Sequence, residues 1–81
     1  MEKRISVVNI IIEDSEAVSM VNEILHSYGS YAIGRLGLPY AKKNLAVICL
    51  VLDCPPSVCS ALSGKLGMIK GVMVKTMTAK V

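Results

Sequence analysis

The chain has 81 residues, enough for one domain that spans residues 1–81. Its formal net charge is only +3 and its nine Lys and Arg residues are scattered, which argues against the basic stripe of a nucleic-acid-binding protein. The longest apolar run, residues 45–52, is far shorter than the roughly 20 residues that cross a bilayer, so no membrane association is expected.

The first two elements are predicted to be a central strand and an amphipathic helix. Residues 3–13, KRISVVNIIIE, are apolar on both alternating faces, as in a strand covered on both sides. Asp14 or Ser15 can cap the helix that follows, and Gly29 suits a left-handed stop. His26 is expected in water, opposite one apolar stripe. The stripe comprises Ala17, Val18, Val21, Ile24, Leu25 and Tyr28.

Two strands are predicted in the middle of the chain. Residues 30–38, SYAIGRLGL, contain two glycines and are followed by Pro39, which predicts a weak strand at a sheet edge. The segment PYAKKN then supplies a turn. Residues 45–53, LAVICLVLD, are again apolar on both faces and predict a second central strand.

The last two elements are predicted to be a helix and an edge strand. The helix begins near Pro55 and Pro56, with Ser57 as a possible cap, and its apolar stripe comprises Val58, Ala61, Leu62, Leu66 and Ile69. Residues 72–81, VMVKTMTAKV, then form a strand whose polar residues favour an edge. These polar residues are Lys75, Thr76, Thr78 and Lys80.

The element order β-α-β-β-α-β predicts an α+β fold of ferredoxin-like type. Right-handed crossovers, with the two most apolar strands in the middle, give an antiparallel sheet of order 4-1-3-2 with both helices on one face. The first and third strands are apolar on the open face too, and 53% of all residues are hydrophobic. We therefore expect a homodimer or higher oligomer that forms through the open sheet face and the edge strands.

Three segments carry a resemblance to a known family. GRLGLPY (residues 34–40), VICLVLD (residues 47–53) and especially ALSGKLGMIKGVMVKT (residues 61–76) resemble the small proteins described as regulators of the iron-only hydrogenase system. Proteins of that family are similar to single domains of ACT type and to the nickel-responsive C-terminal domain of the NikR repressors. The resemblance implies an oligomer with a regulatory role that binds a small effector or a partner protein.

Two departures limit what the resemblance carries over. The NikR repressors bind DNA through a separate ribbon-helix-helix domain, and nothing before the first predicted strand could form one, so direct DNA binding is not expected. Their nickel site uses histidines around the second strand and a cysteine at the start of the third. The segment GRLGLPYAKKNLA supplies neither, so nickel sensing is not expected.

The cysteines allow three interpretations. Cys49 is predicted in mid-strand, Cys54 in the following loop and Cys59 in the first turns of a helix, and about 15 Å of strand separates the first two, too far to share an ion. We interpret the three as structural thiols in a reducing cytoplasm and expect no metal or other cofactor. The alternative is a cysteine-based redox or metal sensor that uses Cys54 and Cys59, since a thiol near a helix N-terminus tends towards thiolate.

No arrangement of nucleophile, base and orienting acid is evident, so no enzyme activity is expected. The segment SGKLG (residues 63–67) lacks the flanking residues of a phosphate-binding loop and falls within or at the end of a helix. Its glycines predict close packing of that helix on a strand. GRLG lacks the third glycine and the following helix of a dinucleotide fingerprint.

Ligand binding is the remaining possibility, and four residues are candidates. In ACT-like domains effectors sit near the loop from the first strand to the first helix, which implies Asn9, Glu13 and Asp14. Asn9 is the one polar residue inside an otherwise apolar central strand, and such a buried amide needs a partner, which is a ligand or a hydrogen bond across strands or subunits. Arg35 could pair with a carboxylate or phosphate, or could be a solvated charge that protects the edge.

Overall fold

The computed structural model describes residues 2–80, which form four strands and two helices. The strands are β1 (Arg4–Ile12), β2 (Ala32–Tyr40), β3 (Leu45–Cys54) and β4 (Val72–Thr78). The helices are α1 (Val18–Ser27) and α2 (Pro56–Gly67), and short 3-10 turns precede α1, β2 and β3. The strand predicted to reach Val81 ends at Thr78, and Val81 lies outside the described residues. None of the helices within residues 2–80 is long and apolar enough to cross a membrane.

The four strands form one antiparallel sheet in the order β2-β3-β1-β4, which reads 4-1-3-2 from the β4 edge. The two strands with the most continuous apolar sequence, β1 and β3, pair over nine residues from Arg4 opposite Cys54 to Ile12 opposite Ala46. Together with the two helices, this arrangement is consistent with a ferredoxin-like fold.

The hydrophobic core lies between one face of the sheet and the two helices. Alternate residues of β1 and β3 are buried there, as the strand period of two requires, against the apolar stripes of α1 and α2. The buried set is Val8, Ile10, Ile12, Ala17, Val21, Leu25, Ile48, Leu50, Leu52, Cys54, Cys59, Leu62 and Leu66. The predicted stripe of α1 is confirmed, with Val18, Ile24 and Tyr28 partly buried around it.

Strand β2 has the predicted length of nine residues but is displaced by two, to Ala32–Tyr40 from the predicted residues 30–38. It continues through Pro39 to Tyr40 because it lies at the sheet edge, where a proline that cannot donate a hydrogen bond is tolerated. An irregularity between Ala32 and Gly34 shifts its register against β3.

The predicted left-handed glycine at the end of α1 was wrong. Helix α1 ends at Ser27, and Gly29 begins a 3-10 turn without a left-handed backbone. Gly71 is instead the glycine with a positive φ, +82°, among the described residues. A Cβ atom there would lie 2.6 Å from the Asp14 Cβ, so the turn before β4 passes close to the end of β1.

Helix α2 also differs from its prediction. Pro55 precedes its first residue, so Ser57 lies within the first turn and is not the cap. Its buried face contains Cys59 in place of Ala61, which is exposed. SGKLG does lie in α2, but a Cβ added at Gly64 or Gly67 would contact nothing within 4 Å. These glycines therefore do not serve close packing on a strand; the helix packs through its larger side chains.

Candidate functional site

The sheet face away from the helices carries no covering element within residues 2–80. Residues that pair directly across strands share a face, so the register defines its members. We call this set the open face. It comprises Ile5, Val7, Asn9 and Ile11 of β1; Leu45, Val47, Cys49, Val51 and Asp53 of β3; Gly34, Leu36, Leu38 and Tyr40 of β2; and Met73, Lys75 and Met77 of β4.

The apolar side chains of the open face are most exposed at its two edges. Leu36 and Leu38 of β2 are 57% and 54% exposed, and Met73 and Met77 of β4 are 53% and 68% exposed. Large apolar side chains in one contiguous patch mark an interaction surface, whereas single ones do not. The apolar character of the first and third strands on this side was predicted, but the contributions of β2 and β4 were not. The apolar residues at every second position of β2 and β4 were the sequence signal for these contributions.

Asn9 lies in the middle of the open face, and its side chain is exposed rather than buried. Its register neighbours are Cys49 on β3 and Lys75 on β4, and its amide makes no side-chain hydrogen bond within residues 2–80. The sequence predicted that β1 is covered on both faces. Within a single chain this prediction is wrong, because both helices pack on the face opposite Asn9. The Asn9 side chain is therefore accessible on the open face.

Arg35 points to a different part of the molecule. It pairs with Leu50, a core residue, and so lies on the helix side of the sheet edge. Its Nη2 donates a hydrogen bond of 2.6 Å to Oδ1 of Asn22 on α1. Arg35 thus links β2 to α1 and does not share a site with Asn9, which is on the opposite face.

Glu13 and Asp14 lie at the end of β1 and organise its connection to α1. The Glu13 amide donates to the Gly71 carbonyl at 2.7 Å, and the Asp14 carboxylate accepts from the Glu16 amide at 3.0 Å. A cavity of about 210 Å³ adjoins this connection and brings acidic and basic side chains together. It is lined by Asp14, Glu16, Ala17, Met20, Ile69 and Lys70. Of the four candidates, only Asp14 lines this cavity; Glu13 precedes it in the chain, and Asn9 and Arg35 lie elsewhere.

The three cysteines are free and occupy two sides of the sheet. Cys49 is half-buried on the open face, whereas Cys54 and Cys59 are buried beneath the helices, and Cys54 is the last residue of β3 rather than part of a loop. Within residues 2–80 no group of three or more His, Cys, Asp or Glu side chains is placed to hold a metal ion.

The Cys54 thiol is not activated by its surroundings. Burial raises its pKa, and the neighbouring Cys59 and Asp53 raise it further, while a hydrogen bond from the Cys59 backbone lowers it. A thiol whose ionisation is disfavoured is a poor nucleophile at neutral pH. The structure thus brings Cys54 and Cys59 together, and the raised pKa of Cys54 disfavours a thiolate at that position.

The chain matches a family model over most of its length. Residues 4–76 match the TM1266-like family, described as "Iron-only hydrogenase system regulator, putative". The chain belongs to this family. The match covers both helices and all but the last residues of the sheet, which confirms the resemblance inferred from the three sequence segments.

One solved structure agrees with the TM1266-like assignment, and two others share the fold. The uncharacterized protein TM1266 from Thermotoga maritima is 41% identical, with a TM-score of 0.93, and the alignment covers 98% of this chain and 100% of that one. A formyltetrahydrofolate deformylase from Pseudomonas putida KT2440 has a TM-score of 0.65 at 9% identity, and an unknown protein from Galdieria sulphuraria has 0.65 at 14%.

The two distant structures share only the fold with this chain. The alignments cover 90% and 99% of this chain, but only 28% of the deformylase and 47% of the Galdieria protein. A fold can host unrelated functions, so the likeness in fold does not assign the deformylase activity to this chain. Comparison with curated protein sequences gives no significant match.

Proposed function

We propose that this TM1266-like protein is a non-enzymatic regulatory domain of ACT type that acts as a homo-oligomer and binds a small effector or a partner protein. The open face is the observation that carries the proposal, because a regulator without a catalytic group must act through its surfaces. The family description supports a regulatory role in the iron-only hydrogenase system. The strand order and the two helices support the likeness to ACT domains and to the NikR C-terminal domain.

The size of the open face supports self-association. Four strands spaced about 4.8 Å apart and about nine residues long give a face of about 19 by 30 Å, or about 570 Å² in projection. Two such faces in contact bury about 1,100 Å², just above the roughly 1,000 Å² expected of a specific interface. Side chains that project from both sheets add to this area. The face is therefore large enough for a dimer of this small domain.

The connection between β1 and α1 is the proposed effector site. Its cavity of about 210 Å³ lies beside Asp14 and offers carboxylates of Asp14 and Glu16 together with the ammonium group of Lys70. Apolar Ala17, Met20 and Ile69 complete its walls. This combination suits a small polar molecule, since pockets that orient ligands place a few charged groups among apolar ones.

The three free thiols fit a protein of the reducing cytoplasm, where we place it.

A matched pair of substitutions tests the self-association. Met73 on the open face is 53% exposed and Met20 on α1 is 52% exposed, so Met73→Glu and Met20→Glu make the same chemical change at equal exposure. We expect the wild type and Met20→Glu to be oligomers by light scattering at micromolar concentration. Met73→Glu should shift towards the monomer, because association would bury its charge. A monomeric wild-type protein would refute self-association.

A thermal-shift screen tests effector binding. Amino acids, nucleotides and metal ions are added singly to the wild type, because a molecule that binds only the native state raises Tm. A hit at the proposed site should lose its effect in Lys70→Gln or Glu16→Gln, both exposed positions. Lys80→Gln, an exposed lysine outside the cavity, is the control. A hit that survives both cavity substitutions would place the effector elsewhere.

A further inference from the structure

The open face is organised in three rows that run across all four strands. From β2 to β4 the rows are Gly34, Val51, Val7 and Met77; then Leu36, Cys49, Asn9 and Lys75; then Leu38, Val47, Ile11 and Met73. Every row ends at β4 in a long unbranched side chain. At the β2 end the rows carry a glycine and two leucines. The two edges of the face therefore differ in shape and in charge.

Two copies that cover each other's open face can be related in two simple ways. Sheets that pack face to face keep their strands aligned within about 30°, so the two-fold axis runs either along the strands or across them. An axis across the strands places each strand over the same strand of its partner. An axis along the strands, between β1 and β3, places β4 over the partner's β2 and β1 over the partner's β3.

The charge of the middle row favours the axis along the strands. An axis across that row would set Lys75 against Lys75 of the partner, and like charges brought together at an interface oppose association. With the axis along the strands, Lys75 lies over Leu36 of the partner. The aliphatic stem of the lysine can then cover the leucine while its ammonium group reaches water beyond the edge.

The shape of the first row favours the same axis. A Cβ added at Gly34 would contact nothing within 4 Å, so this end of the row is open. Met77 at the other end is 68% exposed and projects from the face. With the axis along the strands, Met77 lies over Gly34 of the partner, and a flexible methionine side chain is suited to fill such a gap.

We propose that the open face is covered by a second copy of this chain, about a two-fold axis that runs along the strands between β1 and β3. This geometry rests on the self-association proposed above and specifies it. Asn9 lies next to the axis, one strand spacing from Asn9 of the partner in projection. Each amide can then donate to and accept from the other, which gives the unpaired side chain a partner when association buries it.

Cross-linking with a short bismaleimide distinguishes the two axes. Leu36→Cys and Lys75→Cys are made separately in a Cys49→Ser background, which leaves only the buried thiols Cys54 and Cys59. The two variants are tested alone and after mixing in urea and refolding together. With the axis along the strands, two Leu36 positions lie about 14 Å apart in projection, three strand spacings, whereas Leu36 faces Lys75 of the partner directly.

We expect a several-fold excess of cross-linked dimer in the refolded mixture over either variant alone. Cross-linking of each variant alone would establish the axis across the strands and overturn the proposal. A dimer by light scattering without any cross-link would show that another surface mediates association, which also overturns it. A monomer would refute self-association itself, a failure of the proposed function.

A second pair of cysteine variants keeps the test decisive if a variant of the first pair does not fold. Leu38→Cys and Met73→Cys occupy the two ends of the third row, at exposed positions, and should show the same dependence on mixing. Agreement between both pairs would establish the axis, and a difference between them would contradict it.

Discussion

At the scale of single residues, the structure assigns roles that neighbours in sequence do not reveal. Gly71 and Asp14 are far apart in the chain, yet a Cβ at Gly71 would lie 2.6 Å from the Asp14 Cβ. Cys54 is kept as a thiol by its burial. Asn9 is exposed on the open face rather than buried in a core. Each of these depends on which element packs over the residue.

Gly71→Ala should destabilise the protein by about 2 kcal/mol or more, because the left-handed backbone costs an alanine about 1–2 kcal/mol and its Cβ would overlap Asp14. Urea unfolding measures the change. Gly64→Ala is the matched control. It lies inside α2 with open space around it and should be neutral or stabilising by up to about 1 kcal/mol. Equal effects of the two substitutions would contradict this explanation.

The raised pKa of Cys54 predicts a loss of stability at alkaline pH. The unfolded thiol ionises near about pH 8.5, whereas the folded one stays protonated at that pH, so the folded state binds more protons. The stability that this thiol contributes is complete below about pH 8.5 and is lost as pH rises towards its folded pKa. The difference in unfolding free energy between wild type and Cys54→Ala should therefore shrink as pH rises above about 8.5. A constant difference would argue against the raised pKa.

At the scale of elements, sequence patterns predicted which segments form helices and strands better than how they begin and end. The α1 stripe and the two central strands are as predicted, because the apolar period in each is continuous. The ends differ because they depend on contacts elsewhere. Strand β2 passes through Pro39 at an edge, and the turn to β4 takes its left-handed residue at Gly71.

The sequence left Asp14 and Ser15 as alternative caps of α1. In the structure Asp14 instead caps the 3-10 turn Ser15–Ala17 and accepts from the Glu16 amide, whereas the N-cap of α1 itself is Ala17, without a side-chain hydrogen bond. Asp14→Ala should cost about 1 kcal/mol, the usual value of a lost cap, in the free energy of unfolding measured in urea. Ser15→Ala, the adjacent exposed position, should change stability by less than about 0.5 kcal/mol. A larger effect at Ser15 would reverse the assignment.

At the scale of the whole molecule, one side of the sheet forms a core and the other remains apolar and uncovered. Both helices cover the same face of the sheet, although β1 and β3 are apolar on both faces. A domain of this size has a small core and limited stability by itself. Self-association through the open face would add the buried surface that the single chain lacks.

This arrangement predicts that the stability of the protein depends on its concentration. If the native state is a dimer and the unfolded chain is a monomer, tenfold dilution lowers the apparent stability by about 1.4 kcal/mol of dimer. We expect Tm of the wild type to fall on dilution, in calorimetry or fluorescence-monitored melting. The Tm of Met73→Glu should respond much less, and Met20→Glu should follow the wild type. A wild-type Tm that is independent of concentration would contradict the dimer.

The sequence by itself determined the order of the elements, the central position of β1 and β3, the apolar stripe of α1 and the family resemblance, because these follow from local periodicity and from continuous segments. Only the tertiary structure decided which residues share the open face, that Arg35 bonds Asn22 on α1, and that Asp14 lies against Gly71. These are contacts between distant parts of the chain. They depend on the strand register and on the face of the sheet against which the helices pack. A one-residue change of register would exchange the two faces of an edge strand, and the pairing with the neighbouring strand decides which register forms.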